Sequence, residues 1–343
     1  MMVAVTGVHA GCQRSPGLAV ARSLAMSGQC KVIAIDYDDL SAGLQAPEFC
    51  GSEVIPWSAD STLLLNRLKG IGQMHQVDVI IPCLNSDAVL FAEIADDLAA
   101  AGMRSLLPTV PAFEKRTKPQ LLVLSRSLGL RHPRTIVCWS SEDLDRARVT
   151  IGFPCVVKGH ECGVFPVRNA ELFDYYASYC AANFDYPLLV QEWIEGEEYS
   201  VMGLCDRESV LHLSVAVKKL GIGDDGESWM SVIVDAPLLL ESLQSLTKAI
   251  NWVGPIECDF VRNESGCFLF DVNPRFPAWV DGPASLGFNV PMEAVSLVNG
   301  LACRHLPPPA SGTVFYKDFR DVFSTISDWT SATGGAYRSC KSL

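Results

Sequence analysis

Short apolar runs and longer amphipathic runs alternate through the first hundred residues of the chain. Val3 to Thr6 is continuously apolar up to its last residue and stops at Gly7, which predicts a buried strand. Pro16 to Ser27 follows with apolar residues at helical spacing, a proline at its first turn and Gly28 as its stop. Lys31 to Asp36 predicts a second strand, Glu53 to Pro56 a partial one, and Val77 to Pro82 a strong buried one. A helix is expected from Asp87 to Ala101, ending at Gly102. Strands alternating with helices predict a doubly wound parallel sheet over residues 1 to about 108.

Gly7, Gly11 and Gly17 after the first strand, with Asp36 ending the second, suggest a dinucleotide site. Their spacing is Gly-x3-Gly-x5-Gly rather than Gly-x-Gly-x2-Gly, so the tight pyrophosphate approach is not specified. Asn85-Ser86-Asp87 has two readings, a small-molecule contact at a strand end or simple helix capping by Ser86 or Asp87.

The pattern changes after residue 108. Pro119 to Leu128 predicts a helix ending in Gly129. Gly152 to Lys158 predicts a strand ending in a lysine, and Gly159 to Gly163 a turn. A helix is expected from Asn169 to about Asn183. Leu188 to Val201 reads as strand, short connector containing Gly196, and strand. Gly221 to Gly226 is rich in glycine and acid and predicts a mobile lid. Leu306-Pro307-Pro308-Pro309 is a linker, Thr313 to Phe319 a closing strand, and the tail after Thr330 is expected to be loosely ordered.

Chemistry concentrates near the end. Apolar runs Ile256–Val261 and Cys267–Val272 bracket the turn-rich Asn263-Glu264-Ser265-Gly266 and predict a β-hairpin. Asp259 and Asp271 lie twelve residues apart on its two arms. Alternation puts Asp271, Asn273 and Arg275 on one face, and Asp259 can face them from the paired strand. Such a set suits Mg²⁺ carrying phosphate, because Mg²⁺ takes one or two protein carboxylates and completes its octahedron from phosphate and water. An ordinary surface hairpin with polar residues outward is the alternative reading.

Composition narrows the classes. At 343 residues, 49% hydrophobic, with mean hydropathy +0.21, the chain has ample material for buried cores. A net charge of −12 disfavours a nucleic-acid partner while leaving a bound nucleotide open. The thirteen cysteines show no Cys-x-x-Cys pair, which argues against zinc or a disulfide framework. The first residues form a strand rather than a leader, and no apolar run approaches the roughly 20 residues that span a bilayer. A cytoplasmic protein with no membrane partner is expected.

Lys118, the Phe153-Pro154-Cys155-Val156-Val157-Lys158 strand, the Gln191 to Glu198 segment and the Asp259…Asp271-x-Asn273-Pro274-Arg275 hairpin stand in ATP-grasp order. Over residues 1 to about 300 the chain resembles an ATP-grasp carboxylate–amine ligase. The resemblance implies an α/β and α+β architecture, with a Rossmann-like leading domain at 1–108, a small lobe and hinge at 109–200, and a large lobe at 201–343. It implies Lys118, Lys158 and Lys218 on the ATP phosphates, Gln191, Trp193 and Ile194 at the adenine hinge, and Glu198 on the ribose. It further implies Asp259, Asp271 and Asn273 on Mg²⁺, for which Mn²⁺ can substitute, and Arg275 with Lys158 as the catalytic electrostatic groups. Asp271 stands where Glu is more frequent, Thr117 where Asp often precedes the first lysine, and the loop after Lys158 is shorter than usual. The implied reaction joins a small-molecule or peptide carboxylate to an amine through an acyl phosphate, and a homodimer is compatible with it. A carboxylase-like enzyme, a kinase and a non-catalytic nucleotide-binding module are the competing readings. Phe276, Trp279 and the Asn85 turn are the expected substrate-pocket walls.

Overall fold

The computed structural model describes residues 1–318 apart from 10–14, 58–60, 161–162, 224–225 and 227, together with 321, 323 and 325. Gly11, Glu161, Asp224, Asp225 and the tail after Thr330 lie outside the described residues.

Three sheets organise the chain. The first is parallel, from β1 (Met2–Thr6), β2 (Lys31–Asp36), β3 (Gly51–Val54) and β4 (Val79–Ile81) in the order β3-β2-β1-β4. One face carries Val3, Val5, Val32 and Ala34 against the helix Pro16–Ser27. The other carries Ala4, Ile33, Ile35 and Ile80 against Leu64, Leu68 and Ile71 of the helix Ser61–His75. Both faces are covered, which is why these strands read as continuous apolar runs. Gly17 is required here, because a Cβ would lie 2.3 Å from the Thr6 carbonyl and 2.6 Å from that of Gly7. It lets the helix start hard against the end of β1.

The second sheet is antiparallel, ordered β5-β8-β6-β7, from β5 (Thr135–Cys138), β6 (Cys155–Gly159), β7 (Val164–Val167) and β8 (Leu188–Glu192). Helices Ser141–Ile151 and Ala170–Asn183 supply Leu144, Ala147, Phe173, Ala177 and Cys180 to its core. Asn169 caps the second helix, its side chain accepting from the Leu172 N–H at 2.9 Å.

The third sheet has six antiparallel strands: β9 (Glu197–Cys205), β10 (Leu211–Ile222), β11 (Ser228–Val234), β12 (Gly254–Asn263), β13 (Gly266–Asn273) and β14 (Val314–Tyr316). Their order is β13-β12-β9-β10-β11-β14. One face shares a core with the leading sheet, joining Met202, Leu204, Val215 and Val217 to Val5 and Leu18. The opposite face packs Val201, Ala216 and Cys258 against helices Val110–Arg116, Lys118–Ser127 and Pro237–Ile250. Phe113 and Trp252 meet edge-on there, with ring centroids 5.5 Å apart.

The packing bears on the small lobe expected at 109–200. Helices 110–127 pack on the third sheet, not on the small lobe, and a cut at 200 would run through β9. A helical period shows that one face is buried without saying against which sheet. The helix expected over Asp87–Ala101 is two helices, Asn85–Glu93 and Ala95–Ala100, meeting at Ile94.

Asp87 is not a cap. It is fully buried and accepts from Thr6 Oγ1 at 2.5 Å and from the Tyr37 hydroxyl at 2.6 Å, tying the ends of β1 and β2 to the helix. Burial pushes its carboxyl up to about 6 against those two hydrogen bonds.

Candidate active site

The hairpin of β12 and β13 forms where the two apolar runs predict it, and a bulge between Asp259 and Phe260 sets Asp259 opposite Asp271 and Glu257 opposite Asn273. Glu264 and Ser265 make the turn, and Asn263 Oδ1 accepts from the Ser265 N–H at 2.9 Å. Glu257 and Asp259, two apart on β12, line one cavity of about 340 Å³ with Asp271, Asn273 and Arg275. Lys158, Gln191, Trp193, Ile194, Glu198, Lys219 and Trp279 also line it, so the second and third sheets both contribute walls. A larger cleft of about 460 Å³ runs between helix 16–27 and β14, but its Arg22 is already engaged by Glu48 and Asp281. Chemistry, not volume, selects the 340 Å³ cavity.

Lys158, one residue before the end of β6, is almost fully buried, its Nζ donating to Gln191 Oε1 at 2.6 Å and lying 5.4 Å from the Phe270 ring centre. Gln191 is fixed in turn by donating through Nε2 to Thr135 Oγ1 at 2.8 Å. Burial lowers the Lys158 ammonium to about 8, opposed chiefly by the Asp271 charge and assisted by Lys118. For Asp271 the balance reverses. Burial would raise it, but the charges of Lys118, Lys158 and Arg116 outweigh that and hold it below the ordinary carboxylate range. Lys118, buried at the start of helix 118–127, stands behind Asp271 rather than among the cavity-lining residues. Asp259 is pushed up to about 7 by burial, against the neighbouring Lys219 and with the help of Glu257 and Asp271.

Lys218, expected on the phosphates, is likewise not among the cavity-lining residues. It pairs with Glu197 at 2.5 Å, and it is the adjacent Lys219 that enters the cavity. Alternation puts neighbouring side chains on opposite faces, yet Val215, Ala216 and Val217 are all buried. With both faces covered, the apolar pattern could not say which lysine turns inward. Glu198 lies 3.4 Å from Lys219 Nζ. Trp193 lines the cavity with its side chain 43% exposed, and its backbone N–H donates to the Pro154 carbonyl at 3.3 Å. Where β6 and β7 pair, the Gly159 N–H donates to the Gly163 carbonyl at 3.1 Å.

Glu257 has no place in the sequence reading and is the hub of the site. Its Oε1 accepts from Ser200 Oγ at 2.8 Å and Trp279 Nε1 at 2.9 Å, and its Oε2 accepts from Arg275 at 2.6 Å. Its position two residues before Asp259 on the same strand was the available signal. Trp279 therefore walls the cavity as expected. Phe276 does not: it is fully buried in the core shared with the leading domain. The Asn85 turn reaches the hairpin, with Asn85 Nδ2 donating to Asn273 Oδ1 at 3.1 Å.

Among the described residues no three of His, Cys, Asp and Glu converge as a ready-made metal cage. Two facing carboxylates and one amide oxygen are nonetheless the hard donor set that Mg²⁺ uses when phosphate completes its shell. The donor set fits.

Residues 145–278 match the family model for an ATP-grasp domain. The fold has the same relatives. L-amino acid ligase from Bacillus licheniformis superposes with TM-score 0.66 at 15% identity, covering 87% of this chain and 73% of that one. The biotin carboxylase domain of Hydrogenobacter thermophilus 2-oxoglutarate carboxylase gives 0.64 at 15% identity, over 87% and 69%. N5-carboxyaminoimidazole ribonucleotide synthetase from Thermus thermophilus gives 0.63 at 17% identity, over 90% and 81%. The chain carries an ATP-grasp domain within an ATP-grasp fold.

Proposed function

We propose that the chain is an ATP-dependent carboxylate–amine ligase. The observation carrying this is the convergence of Lys158, Lys219 and Arg275 on two facing carboxylates in one cavity walled by two sheets. In the proposed reaction a substrate carboxylate oxygen attacks the γ-phosphorus of ATP and the bond to the bridging oxygen breaks, releasing ADP. An amine nitrogen then attacks the acyl phosphate carbonyl, loses a proton and expels phosphate. Lys158 and Arg275 stabilise charge where it develops, and no nucleophile from the protein is needed. Trp193 and Ile194 wall the adenine side, and Glu198 stands where it can accept from ribose hydroxyls. Mg²⁺, or Mn²⁺ in its place, bound by Asp259, Asp271 and Asn273 would supply neutralising charge to the phosphates.

The similar structures support nucleotide use. The Hydrogenobacter domain was solved as a dimer with MgADP, ADP and bicarbonate, and the Bacillus enzyme is an L-amino acid ligase. A homodimer of this chain, acting on small-molecule or peptide substrates, is in keeping with them. Among the described residues, no helix is long and apolar enough to cross a membrane.

The test is ADP release screened over paired amino acids and over bicarbonate, with mass spectrometry of products. ADP release that requires both a carboxylate and an amine, with one condensed product per ADP, is expected. Release driven by bicarbonate alone would replace the ligase with a carboxylase. Phosphorylated product with no amine requirement would make it a kinase.

A further inference from the structure

Asp259 is held by a cation of the chain itself, although its buried Oδ1 makes no hydrogen bond. Lys219 Nζ stands 3.1 Å from its Oδ1 and 3.4 Å from Glu198 Oε2, and Asn273 Nδ2 stands 3.4 Å from its Oδ2. The Asn273 amide turns its donor edge to Asp259 and Glu257 and its Oδ1 away, to accept from Asn85 across 188 positions of sequence. Two of the three groups suited to a divalent ion are thus engaged by the chain's own donors. Lys219 is only 10% exposed, so solvent does little to weaken its hold.

We propose that the Lys219 ammonium is the resident occupant of the cation site, exchanged for a divalent metal only when a nucleotide arrives to receive the displaced ammonium on its phosphates. This rests on the nucleotide reading above. A divalent ion and an ammonium cannot share Asp259, because like charges a few ångströms apart repel strongly at a site this far from water. Displaced alone, Lys219 would lose its closest carboxylate and keep only the longer contact to Glu198, so free metal binds poorly. Phosphate oxygens remove that cost. Metal and nucleotide therefore favour each other, and the coupling is reciprocal. Lys218 takes no part, since it faces Glu197 on the opposite side of the strand.

The experiment is Mn²⁺ binding by electron paramagnetic resonance, with and without ADP, on the full chain and its Lys219→Met and Lys218→Met variants. Wild type is expected to bind Mn²⁺ alone weakly and more tightly with ADP, by on the order of 5–150-fold. Lys219→Met is expected to bind Mn²⁺ alone more tightly than wild type by a factor in that range, and to lose most of the gain from ADP. Lys218→Met should match wild type in both. If Lys219→Met does not fold, Lys219→Gln keeps a neutral donor beside the carboxylates and should show the same tightening. Mn²⁺ affinity that is unchanged or weaker in the Lys219 variants overturns the exchange. A wild type that binds Mn²⁺ but neither ADP nor Mn·ADP overturns the proposed function instead, whereas tightening in the Lys219 variants would still uphold the ammonium as occupant.

Discussion

Replacing Arg275 by lysine is expected to remove most turnover while leaving the protein folded. The guanidinium donates to Glu257 Oε2 at 2.6 Å and to the Phe276 carbonyl at 3.1 Å, and it lines the cavity beside Asn273. Glu257 is itself held by Ser200 and Trp279, so the fork is presented in a fixed orientation. A lysine retains the charge and can keep the pair with Glu257, which preserves the fold. It cannot offer two parallel N–H groups to a phosphoryl or carboxyl group. The missing stabilisation acts where charge develops, and losing one such preorganised donor costs about 2.7–4 kcal/mol, on the order of 10²–10³ in rate. The check pairs kcat from ADP release with thermal unfolding. Near wild-type kcat would remove Arg275 from the catalytic set, and a lowered melting temperature with normal kcat would make it structural.

Asp271→Asn is expected to lose both turnover and stability. Three cations, Lys118, Lys158 and Arg116, act on this carboxylate, and neutralising it removes the attraction each of them makes with it. Breaking a buried ion pair costs about 3–5 kcal/mol, and the low end applies because Asp271 opens onto the cavity. The sign of the pH dependence follows from its lowered pKa. The folded state holds the Asp271 proton less tightly than the unfolded chain does. Its contribution is therefore complete above the ordinary carboxylate pKa of about 4 and is lost as pH falls through the lower folded value. Denaturant unfolding should show the full wild-type advantage at neutral pH and a shrinking one below about pH 4. A variant as stable as wild type at neutral pH would mean that the three cations are balanced elsewhere.

How much of this was legible varies with what each residue touches. β1, β2 and β4 were readable because both faces are covered and the apolar run is unbroken. The helix Ser61–His75 was not, because Gly70 and Gly72 interrupt it; Gly72 is there so that Met103 can pack, where a Cβ would meet its sulfur at 2.6 Å. β7 contains Pro166, which suits the sheet edge it occupies but erases the strand signal. Helix Pro237–Ile250 carries an apolar stripe of Leu239, Leu243, Leu246 and Ile250 that is legible at helical spacing.

Asp259, Asp271, Asn273 and Arg275 come together in the cavity because one hairpin carries them, with a bulge after Asp259 setting it opposite Asp271. Lys219 and Glu257 were not legible in the sequence, since their importance lies in contacts between strands. Glu257 meets Ser200 from β9, and Lys219 meets Asp259 from β12. Local pattern gives a side chain its face. It does not give that side chain its partner.

Calorimetric titration of the intact chain with Mg·ADP, and separately with NAD, tests the central claim most directly. Saturable binding of one Mg·ADP per chain, lost when Lys158 is replaced by methionine, with no heat from NAD, is the predicted result. No affinity for Mg·ADP, or binding of NAD in its place, would contradict the account and return the glycines after β1 to a dinucleotide role.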